Sequence, residues 1–274
     1  MPEPALESHI RTALGTAQCI EISGEDARAF AQAQFSCDVR TLRPLHWQWA
    51  AWLDPKGRVR ALMHLADAGD GRLIALLRGG EADTVSADLR RFVLRARVRI
   101  EPMPDRFAAA GPPFPMHEVR LQGDAVGFGY GERSLWLERQ PRPEDLGSEN
   151  AFRLSGIRSG WPSLPRGSEN EFLPPALGLE HLGAVAFEKG CYPGQEIAAR
   201  LHFRGGHKHR LAQICSTAPL CGGDQLEGSQ GRARILDAVE VSGTYYALGV
   251  LEGVKSIEFN KLDNFISVIT RFEI

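Results

Sequence analysis

Lysine is scarce in this chain: five of its 32 basic residues are lysine and the rest arginine, and 34 acidic residues bring the formal net charge to -2. That balance excludes both a surface uniformly basic enough to coat nucleic acid and the one-signed composition of a charged disordered tail. Long apolar runs are also missing, which excludes a hydrophobic transmembrane helix. The five cysteines, Cys19, Cys37, Cys191, Cys215 and Cys221, include no C-x-x-C pair. An odd set without such a pair argues against a disulfide framework and a standard zinc module, and fits reduced thiols. The first residues, among them Glu3 and Glu7, contain acids and no apolar stretch, so they match neither a secretory leader nor an arginine-rich transit peptide. A cytoplasmic location is the expectation.

What is present is the composition of an ordinary globular protein, in a chain of 274 residues that has room for two or three compact units. Ile20 and Ile22 alternate with polar neighbours as in a strand, and Ala27, Phe30 and Ala31 then fall at helical spacing. Strand patterns follow at 46–53, 58–65 and 72–77, joined by the turn signals Asp54-Pro55-Lys56-Gly57 and Gly69-Asp70-Gly71. A helix over 81–94 and a strand over 97–100 complete a β-α-β-β-β-α-β unit of split βαβ type. Proline-rich stretches at 102–115 and 141–148 read as linkers. Strands are expected at 118–121 and 126–137, and short helices at 150–157 and 176–182. After residue 205 the pattern is all strand, at 210–216, 234–241, 245–251 and 265–274, which suggests a small β-barrel. The fold class is α+β, with units expected at 1–101, 102–205 and 206–274. His46, Trp47, Trp49 and Trp52 read first as core and second as the wall of a cavity.

The most informative segment is Lys189-Gly190-Cys191-Tyr192-Pro193-Gly194-Gln195-Glu196. It sets a thiol between two glycines, beside a lysine and just ahead of a helix expected from Gln195. Helix N–H groups and a nearby ammonium lower a cysteine pKa, so Cys191 reads as a reactive thiol; a buried cysteine serving as a small hydrophobe is the alternative. Glu196 and Arg200 lie four apart and can pair, while Tyr192 and Gln195 either bound access to the thiol or cap the turn. His202, His207 and His209 lie among Arg204, Lys208 and Arg210, but their spacing matches no standard zinc set, and no metal site is assigned. This basic loop suits an anion, such as the glutamate tail of a folate or an RNA phosphate.

The octapeptide, preceded by Gly183-Ala184-Val185-Ala186-Phe187 and followed by Arg200 and Phe203-Arg204-Gly205-Gly206, resembles the signature of the YgfZ family, relatives of the glycine-cleavage T-protein, an aminomethyltransferase. Ile22-Ser23-Gly24-Glu25-Asp26, with Phe30 and Asp38-Val39, is similar to the family's amino-terminal signature, and Asp54-Pro55-Lys56-Gly57-Arg58 to its second. The resemblance implies a T-protein-like folate-binding fold of ferredoxin-like subdomains with a small C-terminal β-barrel. It further implies tetrahydrofolate or another reduced folate in a central cavity, and a role in the assembly or repair of iron-sulfur enzymes, including those that methylthiolate tRNA. The partners implied are the folate, iron-sulfur enzymes or assembly proteins, and transient tRNA, with the chain acting as a monomer away from membranes.

For the site, the resemblance implies Cys191 as functional thiol with Lys189, Tyr192, Gln195, Glu196 and Arg200 around it. It implies Phe152, Arg158, Gly190, Gly194 and Arg204 as folate contacts. Phe152 falls where several members place a stacking tryptophan. Arg158-Ser159-Gly160 stands where T-protein has a Glu-Ala-Gly turn that grips the pterin, and Lys56-Gly57-Arg58-Val59 stands where it has an aspartate pair. Both exchanges weigh against aminomethyl transfer. A maturation factor rather than an enzyme is therefore expected, with a folate-dependent aminomethyltransferase as the alternative.

Overall fold

The computed structural model describes residues 11–205, 207–228, 231–253, 258–261 and 264–271. Its frame is three antiparallel sheets, each completed by pairings distant in sequence.

The first sheet contains β2 (Cys19–Ser23), β3 (Trp47–Leu53), β4 (Val59–Asp67), β5 (Leu73–Gly79) and β6 (Arg99–Pro102), in the order β3-β4-β5-β2-β6. Helices α1 (Ala27–Gln34) and α2 (Ala82–Arg90) lie on one face of it. Ala27, Phe30 and Ala31 of α1 and Val85 and Leu89 of α2 pack there with Ile20, Ile22, Trp52, Met63 and Leu65. Trp47, Trp49, Leu62 and Ile74 alternate to the other face and enter the second core. Covering on both faces explains why β4 and the first five residues of β5 are almost wholly buried. The β-α-β-β-β-α-β order matches the sequence reading, except that α2 stops at Arg90 rather than at 94 and β6 runs over 99–102.

The second sheet takes β1 (Thr12–Thr16), β7 (Phe107–Gly111), β8 (Val119–Gln122), β9 (Ala125–Gly129) and β10 (Ser134–Glu138), in the order β1-β7-β10-β9-β8. Two of its strands escaped the sequence pattern. β1 is only partly buried, and β7 (Phe-Ala-Ala-Ala-Gly) is too small-sided to alternate visibly between its flanking prolines. The single strand expected over 126–137 is a hairpin, β9 and β10, reversing at residues 130–133 where Gly131 takes a φ of +78°. Because β1 pairs with β7, the chain crosses the boundary expected near residue 101.

Helix α3 (Leu146–Arg158) begins at Asp145, whose carboxylate accepts the N–H of Gly147. A 3-10 turn, Pro174–Leu177, replaces the helix expected at 176–182; Gly178 ends it with a φ of +65°. Helix α4 (Gln195–Arg204) starts where the sequence placed it. The third sheet, β11 (His209–Ser216), β12 (Gln225–Gly228), β13 (Gly231–Val241), β14 (Thr244–Glu252), β15 (Glu258–Lys261) and β16 (Asn264–Arg271), is ordered β12-β13-β14-β11-β16-β15. The strand expected over 265–274 corresponds to β16; its last residues, Phe272 to Ile274, lie outside the described residues, as do Gly206 and Lys255. No helix among the described residues is long and apolar enough to cross a membrane.

Candidate functional site

Cys191 lies exposed on a loop, three residues before the N-cap Gly194 of α4. Three anchors hold that loop. Preceding it, the hydroxyl of Ser36 donates to the carbonyl of Ala184 (2.6 Å), and Ala186 N–H donates to Ser36 O (2.8 Å). Within it, the ammonium of Lys189 donates to the carbonyls of Phe35 and Cys37, both at 2.7 Å. Beyond it, Gly194 sits against the 54–58 turn, where a Cβ would lie 2.5 Å from Asp54 O and 2.8 Å from Gly57 Cα. That turn is itself braced, because the Asp54 carboxylate accepts N–H groups from Lys56 and Arg58, both at 2.8 Å. The octapeptide, the 35–37 segment just ahead of Asp38-Val39, and the 54–58 turn, far apart in sequence, therefore meet at one place.

This geometry revises several expectations. Lys189 does not direct its charge to the thiol: its ammonium is spent on two backbone carbonyls, and burial draws its pKa down to about 8. Tyr192 is buried and faces the core, with its hydroxyl unpartnered, rather than bounding access to Cys191. Gln195 caps the turn: its N–H donates to Tyr192 O (3.2 Å) and its side-chain amide to Lys189 O (3.4 Å). No ion pair joins Glu196 to Arg200 among the described residues; α4 instead makes a hydrogen bond between His202 Nδ1 and the Glu180 carboxylate, at 2.7 Å. His202 also stacks on Phe187 at 4.2 Å, and Phe203 beside it is 74% exposed. No group of three or more potential metal-ligating side chains forms among the described residues.

Exposure sorts the thiols. Cys191 and Cys221 are exposed, whereas burial pushes Cys19 up to about 12 and Cys37 up to about 11. Brief iodoacetamide treatment of the native protein at pH 8 is expected to label Cys191 and Cys221 and to spare Cys19 and Cys37, which peptide mass mapping reads directly. Labelling of Cys37 at the rate of Cys191 would contradict the packing described.

A second feature lies elsewhere. A cavity of about 510 Å³ opens where β1, β5, β7, β10, α3 and β13 converge. Its wall includes Phe152, Trp161, Tyr130, Arg78 and Arg133. Tyr130 and Trp161 join Trp47, Trp49 and His64 in one aromatic cluster, with Trp161 4.8 Å from Tyr130 and 5.7 Å from Trp49. Fully buried His64 meets the Tyr130 hydroxyl at 2.9 Å through Nδ1, and burial drives its pKa well below the usual range, so the ring is neutral. Trp47 and Trp49 are core residues that back the cavity wall; Trp52 belongs to the core under the helices, with Arg60 stacked on it at 4.1 Å.

Of the residues expected to touch a folate, Phe152 lines this cavity. Gly190 and Arg204 are exposed on the cysteine loop and α4, and Gly194 is taken up by packing against the 54–58 turn. Arg158, exposed at the end of α3, has its guanidinium 5.9 Å from the Tyr246 ring. The cysteine loop and the cavity are thus two places, not one. Arg78, Arg133 and Trp161 had no motif to mark them, since an arginine turned inward is indistinguishable in sequence from one at the surface.

Comparison with known proteins agrees with this architecture. No family model matches the chain. It is 26% identical over 268 residues to the tRNA-modifying protein YgfZ of Yersinia pestis (strain Pestoides F), covering 85% of this chain and 81% of that protein. It is 27% identical to an uncharacterized protein of Haemophilus influenzae, covering 71% and 69% of the two chains. Among solved structures, the glycine cleavage system aminomethyltransferase T from Bartonella henselae superposes with a TM-score of 0.72 at 13% identity, over 96% of this chain and 85% of that one. The resemblance carried by the motifs extends along most of the chain: this protein is a relative of the YgfZ proteins, with a mixed α/β fold like that of T-protein.

Proposed function

We propose that this protein binds a reduced folate, tetrahydrofolate or a derivative, in its central cavity. In this reading it supports cluster assembly or repair in iron-sulfur enzymes, including those that methylthiolate tRNA, with Cys191 as its functional thiol. The observation that carries the reading is an exposed thiol on a loop held at three points by the main chain, in a relative of proteins named as tRNA-modifying. A structural cysteine needs neither exposure nor such fixing; a thiol that must meet a partner needs both.

The cavity's chemistry fits a folate. Its volume of about 510 Å³ falls within the range of about 300–1,000 Å³ usual for small-molecule sites. Phe152 and Trp161 bring aromatic rings to its wall, and the guanidinium groups of Arg78 and Arg133 bring donors for a ligand's acceptors. A bound reduced folate would supply one-carbon chemistry there, while Cys191 works at the surface. Glu196, Arg200 and Arg204, exposed on α4, would face a client enzyme or transiently a tRNA phosphate. Arg158, Gly190 and Gly194 would act indirectly, by shaping the rim and the loop. In this reading the protein is a cytoplasmic monomer of three units, 1–101, 102–205 and 206–274, the first lending β1 to the sheet of the second, with the last sheet closing into a small barrel.

The test is the level of methylthiolated tRNA in a bacterial strain lacking its own relative, supplied with this protein or its Cys191→Ala variant at matched expression. Rescue by the parent and not by the variant is expected. As an exposed position, 191 should leave stability within about 0.5 kcal/mol, so the loss would belong to the thiol. Rescue by both would remove Cys191 from the mechanism. Rescue by neither would overturn the role and bring forward the aminomethyltransferase alternative, read as methylenetetrahydrofolate formation.

A further inference from the structure

The least satisfied polar groups of the central cavity are two arginines. Arg133 Nε and Nη1 and Arg78 Nε are shut off from solvent without a hydrogen-bond partner. Although Glu149 and Glu169 line the same cavity, neither guanidinium has a carboxylate within ion-pair range among the described residues. The neighbouring Arg153 and Arg166, by contrast, pair with Asp237 and Glu81 at 2.5 and 3.3 Å. Burial draws the Arg133 pKa down to about 10, and repulsion from Arg78 adds to it while Tyr130 opposes it. Arg133 is also fixed in place, its guanidinium carbon 4.6 Å from the Phe152 ring centre and 5.2 Å from that of Trp161. Two partly buried cations of like sign, each with a nitrogen that lacks a hydrogen-bond partner, are costly for a folded chain to hold, and a carboxylate meeting their remaining guanidinium nitrogens from the cavity would relieve that cost with charge-assisted hydrogen bonds.

We propose that Arg78 and Arg133 form a carboxylate clamp that takes the glutamate end of the folate's p-aminobenzoylglutamate half, with its benzoyl ring on Phe152. This rests on the folate reading above and assigns the anionic half of that ligand to residues outside every motif. A guanidinium matches the plane and spacing of a carboxylate, so two of them select a ligand for its tail as well as its ring.

The test titrates the purified full-length protein by calorimetry with three probes: 5-formyltetrahydrofolate, tetrahydropterin (a ring without the tail) and p-aminobenzoylglutamate (a tail without the pterin). The parent is expected to bind all three, and the glutamate-bearing first and third through the clamp. Arg133→Met and Arg78→Met each weaken both by tenfold or more and leave tetrahydropterin unchanged. Without ligand, Arg133→Met is expected to melt at or above the parent's temperature, because it removes an unpartnered charge; its loss of binding is then not a loss of fold. If both variants bind 5-formyltetrahydrofolate as the parent does, the clamp is overturned while the folate reading stands. If the parent binds p-aminobenzoylglutamate in an arginine-dependent way but neither pterin-bearing probe, the clamp stands and the folate reading falls. If it binds none of the three, both fall.

Discussion

Gly194→Ala is expected to lower the stability of the protein by about 2–4 kcal/mol, well beyond what a surface alanine does. Two costs add. Gly194 has a φ of +77°, where an L side chain is strained by about 1–2 kcal/mol. Its new Cβ would also stand 2.5 Å from Asp54 O and 2.8 Å from Gly57 Cα, both main-chain atoms of a turn with no slack to give. Gly57 is committed in the mirror sense, with a φ of +77° and Ile197 of α4 2.9 Å from where its own Cβ would be. The control is Gly190→Ala, one residue before Cys191, where a Cβ meets nothing within 4 Å and should cost no more than about 0.5 kcal/mol. Urea midpoints followed by circular dichroism separate the two. Equal midpoints for both variants would mean that the contact between the 54–58 turn and α4 does not hold the loop.

Lys189→Met is the second large effect, and it carries a pH signature. Methionine keeps the apolar stem but leaves the carbonyls of Phe35 and Cys37 without a donor in a buried site, at a cost of about 1–3 kcal/mol at pH 7. In the parent, burial lowers the pKa of Lys189 from 10.5 to about 8, with Cys37, Asp38 and Arg40 as its charged or titratable neighbours. Between those two values the unfolded chain holds a proton that the folded chain has released, so this residue's contribution to stability rises with pH across the window. This proton-linked part is fully present above pH 10.5 and lost as pH falls through 8, and it adds to the hydrogen-bond cost counted at pH 7. The stability difference between the parent and Lys189→Met should therefore widen by on the order of 2 kcal/mol from pH 7 to pH 10.5. A difference that stays constant over that range would show that the ammonium is not buried. Differencing against the variant cancels titrations common to both chains.

How much of this was legible in the sequence follows from which forces act locally. The first sheet and its two helices were readable because their strands are rich in apolar residues, as in the run Leu73 to Leu77 of β5, and because Asp54-Pro55-Lys56-Gly57 punctuates them. β1 and β7 were not, since strands built from Thr, Ala and Gly alternate too weakly to stand out and are held by a partner about 95 residues away. The exposed thiol was expected from its setting between two glycines among Lys189, Tyr192 and Gln195, although Lys189 and Tyr192 are themselves buried, and the start of α4 followed from Pro193 and Gly194. The orientation of Lys189 did not, because which carbonyls it meets is decided by segments about 150 residues distant. For the same reason Phe152 was found through a resemblance while Arg78 and Arg133 were missed: burial of a charged side chain is a property of the assembled cavity.

The way Lys189 is received has a consequence for how these sequences can drift. Its partners are the main-chain oxygens of residues 35 and 37, groups that every amino acid possesses. Substitutions in the receiving segment leave the acceptors intact as long as the backbone path survives, whereas no residue but lysine combines that reach with an ammonium at its tip. The side chains at 35 and 37 answer to the core in which both are buried and not to Lys189, so changes there bring no matching change at 189, and a search for co-varying pairs would pass over the contact that fixes the cysteine loop.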